Sequence, residues 1–167
     1  MQYFLRNSYP SKLFMPAIGV STSTLHKWAA RGYIYLGSPG TGKSVTLTGK
    51  EILYAATLNL ISVSGGSIKW QYAGLQDCVS VYYEAFKKCL PYEKPSTKYC
   101  VYKFVDDHAG NYAGVAITAE WEISENPMND RYHIVEATGS KAEPFFSCID
   151  LEELLRSLVL KIEGRQV

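Results

Sequence analysis

Residues 37–44 read GSPGTGKS, which sets Gly37, Gly42, Lys43 and Ser44 at the spacing G-x-x-x-x-G-K-[ST]. That spacing can cradle a nucleotide: glycine amides converge on phosphate oxygens, the lysine reaches the β and γ phosphates, and the hydroxyl holds Mg²⁺. Such a loop has to run directly into a helix. Here it is followed by Val45-Thr46-Leu47-Thr48, three of whose four residues are β-branched, which favours a strand. The acidic strand that would complete the site falls on residues 101–106, with Lys103 in its middle. That is awkward for a strand buried on both faces. A small P-loop NTPase or kinase using residues 37–44 is therefore the lesser of two readings.

The other reactive side chains form no catalytic set. Asp106-Asp107-His108 could be an acid and base pair or part of a metal site, yet with Ala109-Gly110-Asn111 after it the segment has the composition of a tight solvent turn. His133, between Tyr132 and Ile134, reads as a packed or surface histidine of a strand. Cys78, Cys89, Cys100 and Cys148 include no C-x-x-C pair, and no histidine stands at zinc-ligand spacing from any of them. They are expected to be reduced and mostly buried, as in a cytosolic protein. No Ser-His-Asp or Cys-His arrangement can be assembled, so the expectation is no enzyme, no cofactor and no metal.

The second reading starts from a different cluster. Ser21, Thr22, Ser23 and Thr24 open a segment that places Leu25 and Trp28 on one side and stops at Gly32, which predicts a helix over residues 22–31. Before it stands Ile18-Gly19-Val20, a glycine turn between apolar residues, and before that a short helix is expected over about residues 11–17. A helix, a turn and a second helix can set the N-terminal residues of the second helix into the DNA major groove. Hydroxyls can bond base edges or phosphates, and helix N-terminal amides favour phosphate oxygen.

Residues 33–36 (YIYL) and 44–48 (SVTLT) are β-prone runs around a glycine-proline loop, which predicts a hairpin. Thr48 followed by Glu51 has capping-box spacing, and Ile52, Leu53, Ala56 and Leu60 form the expected buried stripe of the next helix.

The run from Gly19 to Ile34 (GVSTSTLHKWAARGYI) resembles the start of MerR-type winged helix-turn-helix domains, in which G-V-S, a T-L-x-x-W block and R/K-G-L-[LI] follow in order. Residues 45–53 look like the helix that follows the wing in that family. The resemblance covers residues 11–62. It implies a DNA-binding transcriptional regulator, with Thr24, His26 and Lys27 on the recognition helix, Trp28 on its core side, and Lys43 on the wing against DNA backbone. Ser21, Thr22, Ser23, Arg31 and Tyr35 complete the expected double-stranded DNA contact set. Three departures stand out. Pro16 lies inside the expected first helix, where it should shorten or bend it. His26 replaces the usual arginine, which would make a phosphate contact pH-dependent. The long dimerisation helix of typical members is missing, so effector sensing of the usual kind is not implied.

Charge is divided along the chain. Residues 1–66 hold six basic residues against the single acid Glu51, a net +5, whereas the remainder holds 11 basic and 15 acidic residues, a net −4. A basic module facing phosphate beside an acidic one facing protein would show this division. Small residues at 62–67 (SVSGGS) mark the expected boundary. The domains would be a winged helix-turn-helix over 1–66 and an α+β dimerisation or regulatory domain over 67–167.

In the second part an amphipathic helix is expected over 71–90, carrying Leu75, Val79, Tyr82, Phe86 and Cys89. Antiparallel strands follow at 98–106, 112–123 and 131–137. A last helix starts with Asp150 as N-cap and Glu153 in capping-box position, with Leu151, Leu154, Leu155, Leu158, Val159 and Ile162 on its apolar side. Residues 151–162 are either a dimerisation element or a helix packed on its own sheet. The fold class is thus α+β. A homodimer on an inverted-repeat operator follows from the few contacts one such helix can make, with repression favoured over activation and a bacterial or phage setting suggested by analogy. No apolar run reaches the ~20 residues that cross a bilayer, so a cytoplasmic, nucleoid-associated protein is expected.

Overall fold

Residues 4–37, 44–64, 68–72, 74–89, 99–104, 119–124 and 146–164 are described by the computed structural model. In Ser8-Tyr9-Pro10 and Thr46-Leu47-Thr48 only the middle residue is buried. The two segments pair antiparallel as β1 (Ser8–Pro10) and β2 (Thr46–Thr48), with Tyr9 opposite Leu47. The Ser11 amide adds a bond to the Val45 carbonyl at 2.8 Å.

This pairing corrects the expected hairpin. Residues 33–36 form no strand, and β2 finds its partner near the start of the chain instead. The reason lies in how the preceding helix ends: the amides of Gly32 and Tyr33 turn back onto the carbonyls of Ala29 and Trp28, at 3.0 and 2.9 Å. Tyr9 also anchors β1 by stacking on Phe4 at 5.4 Å between ring centres.

Helix α1 (Ser11–Ile18) follows β1 directly and contains Pro16, which sits exposed. Helix α2 covers Thr22–Ala30. Helix α3 (Gly49–Val63) begins with the full capping box: the Glu51 amide donates to Thr48 Oγ1 at 3.3 Å, and the Thr48 amide donates to Glu51 Oε2 at 2.7 Å. Ile52, Leu53 and Ala56 are buried as expected. Leu60 is not, being 39% exposed, whereas Tyr54, Ala55, Thr57, Leu58 and Ile61 are buried too. A helix enclosed nearly all round occupies the middle of a core. Thr57, the polar member, donates its hydroxyl to the Leu53 carbonyl at 2.8 Å.

The expected linker begins inside α3, whose last two residues are Ser62 and Val63, with Ser64 as C-cap; residues 65–67 lie outside the described residues. After α4 (Ile68–Gln71), α5 (Leu75–Cys89) buries Leu75, Val79, Tyr82, Tyr83 and Phe86. Strands β3 (Tyr99–Phe104), β4 (Ala119–Ser124) and β5 (Phe146–Asp150) form an antiparallel sheet in the order β4-β3-β5, with Tyr102 opposite both Trp121 and Ser147. The first two strands match the expected ones in part. The third expected strand, residues 131–137 with His133, lies outside the described residues, as does Asp106-Asp107-His108.

Strand β5 hands over to α6 (Leu151–Glu163) at a single residue. Asp150 closes the strand and caps the helix, accepting the Glu153 amide at 2.9 Å. Leu151, Leu155, Leu158, Val159 and Ile162 face inward, with Leu154 partly buried beside them. The fold is mixed α+β. Buried side chains from Phe4 to Ile162 form one cluster: α3 packs on α5, and both α1 and α3 pack on α6. The Phe4 amide donates to Glu163 Oε1 at 3.2 Å, joining the two ends of the described chain.

Candidate nucleic-acid interface

A short connection joins α1 to α2. Gly19 ends α1 in the left-handed region at φ +71°, a conformation that disfavours a side chain, and its amide bonds the Met15 carbonyl. The Val20 amide bonds the same carbonyl at 3.2 Å. From α3, Asn59 donates through Nδ2 to the Ile18 carbonyl at 2.9 Å, so the turn is held to the central helix as well as to α1.

The N-terminus of α2 is closed by its own hydroxyls. Ser21 Oγ accepts the Thr24 amide at 3.1 Å and shares a hydrogen bond with Thr24 Oγ1 at 2.9 Å. Thr22 Oγ1 lies 3.8 Å from Met15 Sδ, a weak bond back to α1. Leu25 and Trp28 are buried, and Ile34 continues the apolar contact after the helix.

At 100° per residue, Thr22, Ser23, His26, Lys27 and Ala30 fall within about 140° of arc. All five are exposed. Arg31 follows at the C-cap, also exposed, and Tyr35 projects with 78% of its surface free. The side chains of Ser23, His26, Lys27 and Arg31 have no hydrogen bond or ion pair among the described residues. No acidic residue occurs between positions 6 and 50. The face is thus polar and cationic, and its charges are not neutralised locally.

The structure therefore brings Ser21, Thr22, Ser23, Thr24, His26, Lys27 and Arg31 together on one helix, with Tyr35 shortly beyond its end. Within that set, Ser21 and Thr24 serve the cap and Thr22 reaches back to Met15, which leaves Ser23, His26, Lys27 and Arg31 as the outward groups. Lys43 lies outside the described residues. The described residues after it, Ser44 and Val45, run into β2 and not into a helix, against the requirement of a nucleotide-binding loop.

Two features escaped the sequence reading. Lys12 is exposed on α1, where no amphipathic signal marks it. Arg6, Lys50 and Lys87 come from three distant segments to line a groove of about 540 Å³ with Asn7 and Thr48, and Glu84 meets Lys87 there at 3.8 Å. Only folding could assemble that group. The cysteines need a correction: Cys78 on α5 is half-buried, and Cys148 on β5 is exposed because strand alternation gives the buried side to its neighbour Ile149. Partial burial, and then the Asp150 carboxylate, hold the Cys148 thiol above its ordinary value.

No protein-family model matches the chain, and no curated protein matches it. Among the described residues no helix is long and apolar enough to cross a membrane.

Proposed function

We propose that the chain is a sequence-specific transcriptional regulator that inserts α2 into the DNA major groove and acts as a homodimer on an inverted-repeat operator. The observation that carries this reading is the division of α2 into a buried side, Leu25 and Trp28, and an exposed arc holding Ser23, His26 and Lys27, in a stretch of sequence without an acid from position 6 to 50. A solvated helix face usually mixes both signs of charge; a face that meets phosphate does not. The short turn at Gly19, fixed by Asn59, supports the reading because it sets α2 rigidly against α1. Lys12 on α1 is then available to a phosphate beside the groove.

Two copies are required on energetic grounds, since one short helix makes too few contacts for tight and selective binding. The inner face of α6 is already used by the chain's own core, so an interface would draw on other groups, such as the exposed Leu60, Val63 and Leu160. Repression by occupying a promoter is the simplest outcome, in the nucleoid of a bacterial or phage-infected cell.

Selection of bound duplexes from a random pool tests the proposal. Enrichment of a motif with dyad symmetry supports it. A pool that stays random after repeated rounds at low salt contradicts it.

A further inference from the structure

The groove of about 540 Å³ lies where the segment before β1 meets the start of α3 and the C-terminal half of α5. Arg6, Asn7, Thr48, Lys50, Glu84 and Lys87 supply its polar lining, and the buried Leu5 and Tyr83 complete it. Three cations stand against one acid, so the described lining carries a net charge of +2. A concave wall of one sign concentrates a field that a flat patch would lose to solvent.

The chain does little to neutralise these charges itself. Arg6 and Lys50 have no hydrogen bond or ion pair among the described residues. Lys87 meets Glu84 at 3.8 Å with both side chains about half exposed, a contact that contributes little and lets the ammonium turn to a better partner. Lys50 is half-buried in the first turn of α3, where the helix dipole disfavours a cation. Glu51, at the same helix end, gives Oε2 to Thr48 and does not line the groove. An anion among the three cations would satisfy what the described residues leave unpaired. The Arg6 guanidinium suits phosphate, whose oxygens it can engage in pairs, and the two lysines add point charges. The volume falls within the roughly 300–1,000 Å³ of small-molecule sites, so the phosphate has room for an organic body. An amide and a carboxylate, on Asn7 and Glu84, are groups that bond hydroxyls.

We propose that this groove binds a small phosphate monoester, with the phosphate held by Arg6, Lys50 and Lys87 and a hydroxyl-bearing body against Asn7 and Glu84. No lining residue belongs to α2, so the site goes beyond the DNA reading and stands whether or not α2 meets a duplex.

The test is an amide NMR titration of the full chain with ribose 5-phosphate at fixed ionic strength and about pH 7.5, above the second phosphate ionisation at roughly 6. Ribose and sodium chloride serve as controls. Saturable shifts at Arg6, Asn7, Thr48 and Lys50 are expected with the phosphate ester alone. Arg6→Gln and Lys50→Gln should each weaken binding about tenfold. Glu84→Gln removes the opposing charge and should strengthen it about threefold. Lys88→Gln makes the same charge change as Lys50→Gln at an exposed position of α5 outside the groove, and should leave affinity unchanged. Shifts that never saturate, or equal losses in Lys88→Gln and Lys50→Gln, would overturn the proposal. So would saturation of these amides by a short DNA duplex but not by ribose 5-phosphate, which would assign the groove to the DNA backbone.

Discussion

Glycine at position 49 is a packing requirement, not a hinge. A Cβ there would collide with the Tyr83 hydroxyl and the Phe4 carbonyl, which are themselves hydrogen-bonded at 3.5 Å. Alanine is the better helix former by up to about 1 kcal/mol, yet Gly49→Ala should destabilise by about 1–3 kcal/mol because the contact is to backbone and cannot easily yield. Urea unfolding decides between these effects; a variant as stable as the parent would show that Phe4 and Tyr83 can move aside.

The buried phenols give a second residue-level expectation. Burial, and then Tyr72, push the Tyr54 phenol up to about 12, and burial, followed by Tyr9 and Glu84, pushes Tyr83 higher still. In the unfolded chain both ionise near the ordinary value of 10.0. The folded state then holds more protons than the unfolded state above that value, so stability falls as pH rises. Their contribution is complete below about pH 10 and is lost as pH climbs through the folded-state values. The urea midpoint should be flat in mildly alkaline buffer and drop beyond about pH 10. Tyr54→Phe should lessen that drop and, by removing a buried hydroxyl that has no partner among the described residues, should not destabilise at neutral pH. A midpoint that is level across the alkaline range would contradict both.

At the scale of elements, helix ends were the most legible part of the sequence. Ser21, Thr48 and Asp150 each cap the helix expected of them, because capping depends on residues three apart and needs no tertiary information. Helical stripes came through for the same reason, as α5 and α6 show. Strand partners did not. The run at 44–48 carries a β signal and so does the neighbouring run at 33–36, while its true partner, Ser8–Pro10, is too short to show alternation. Strand β5 carries little signal of its own because Asp150, which ends it, is also the N-cap of α6 and marks a helix start in the sequence.

Asp150→Ala should accordingly cost about 1 kcal/mol by exposing the first turn of α6. Asn59→Ala is expected to cost about as much and, unlike Asp150→Ala, to weaken duplex binding, since only Asn59 holds the turn before α2. Equal affinities for the two variants would mean that α2 does not depend on that bond for its place.

At the scale of the whole molecule, the candidate site was legible in type and incomplete in extent. Residues 21–31 are contiguous, so a polar helix face could be read directly from their order. The groove of Arg6, Lys50 and Lys87 joins segments far apart in sequence and carries no local signal. The packing that assembles it is shared: α1, α3, α5 and α6 contribute to one hydrophobic cluster, which draws on both the basic and the acidic part of the chain. The exposed cations of α1 and α2 remain at its surface, where a polyanion can displace counterions from itself by binding them.

The salt dependence of duplex binding, measured side by side for the parent chain and Lys27→Ala, tests the central claim most directly. If α2 lies against DNA, log affinity falls linearly with log salt, and removing the one lysine of that helix lowers the slope by about 0.9. Absence of duplex binding at low salt, or a slope identical in parent and variant, would contradict it.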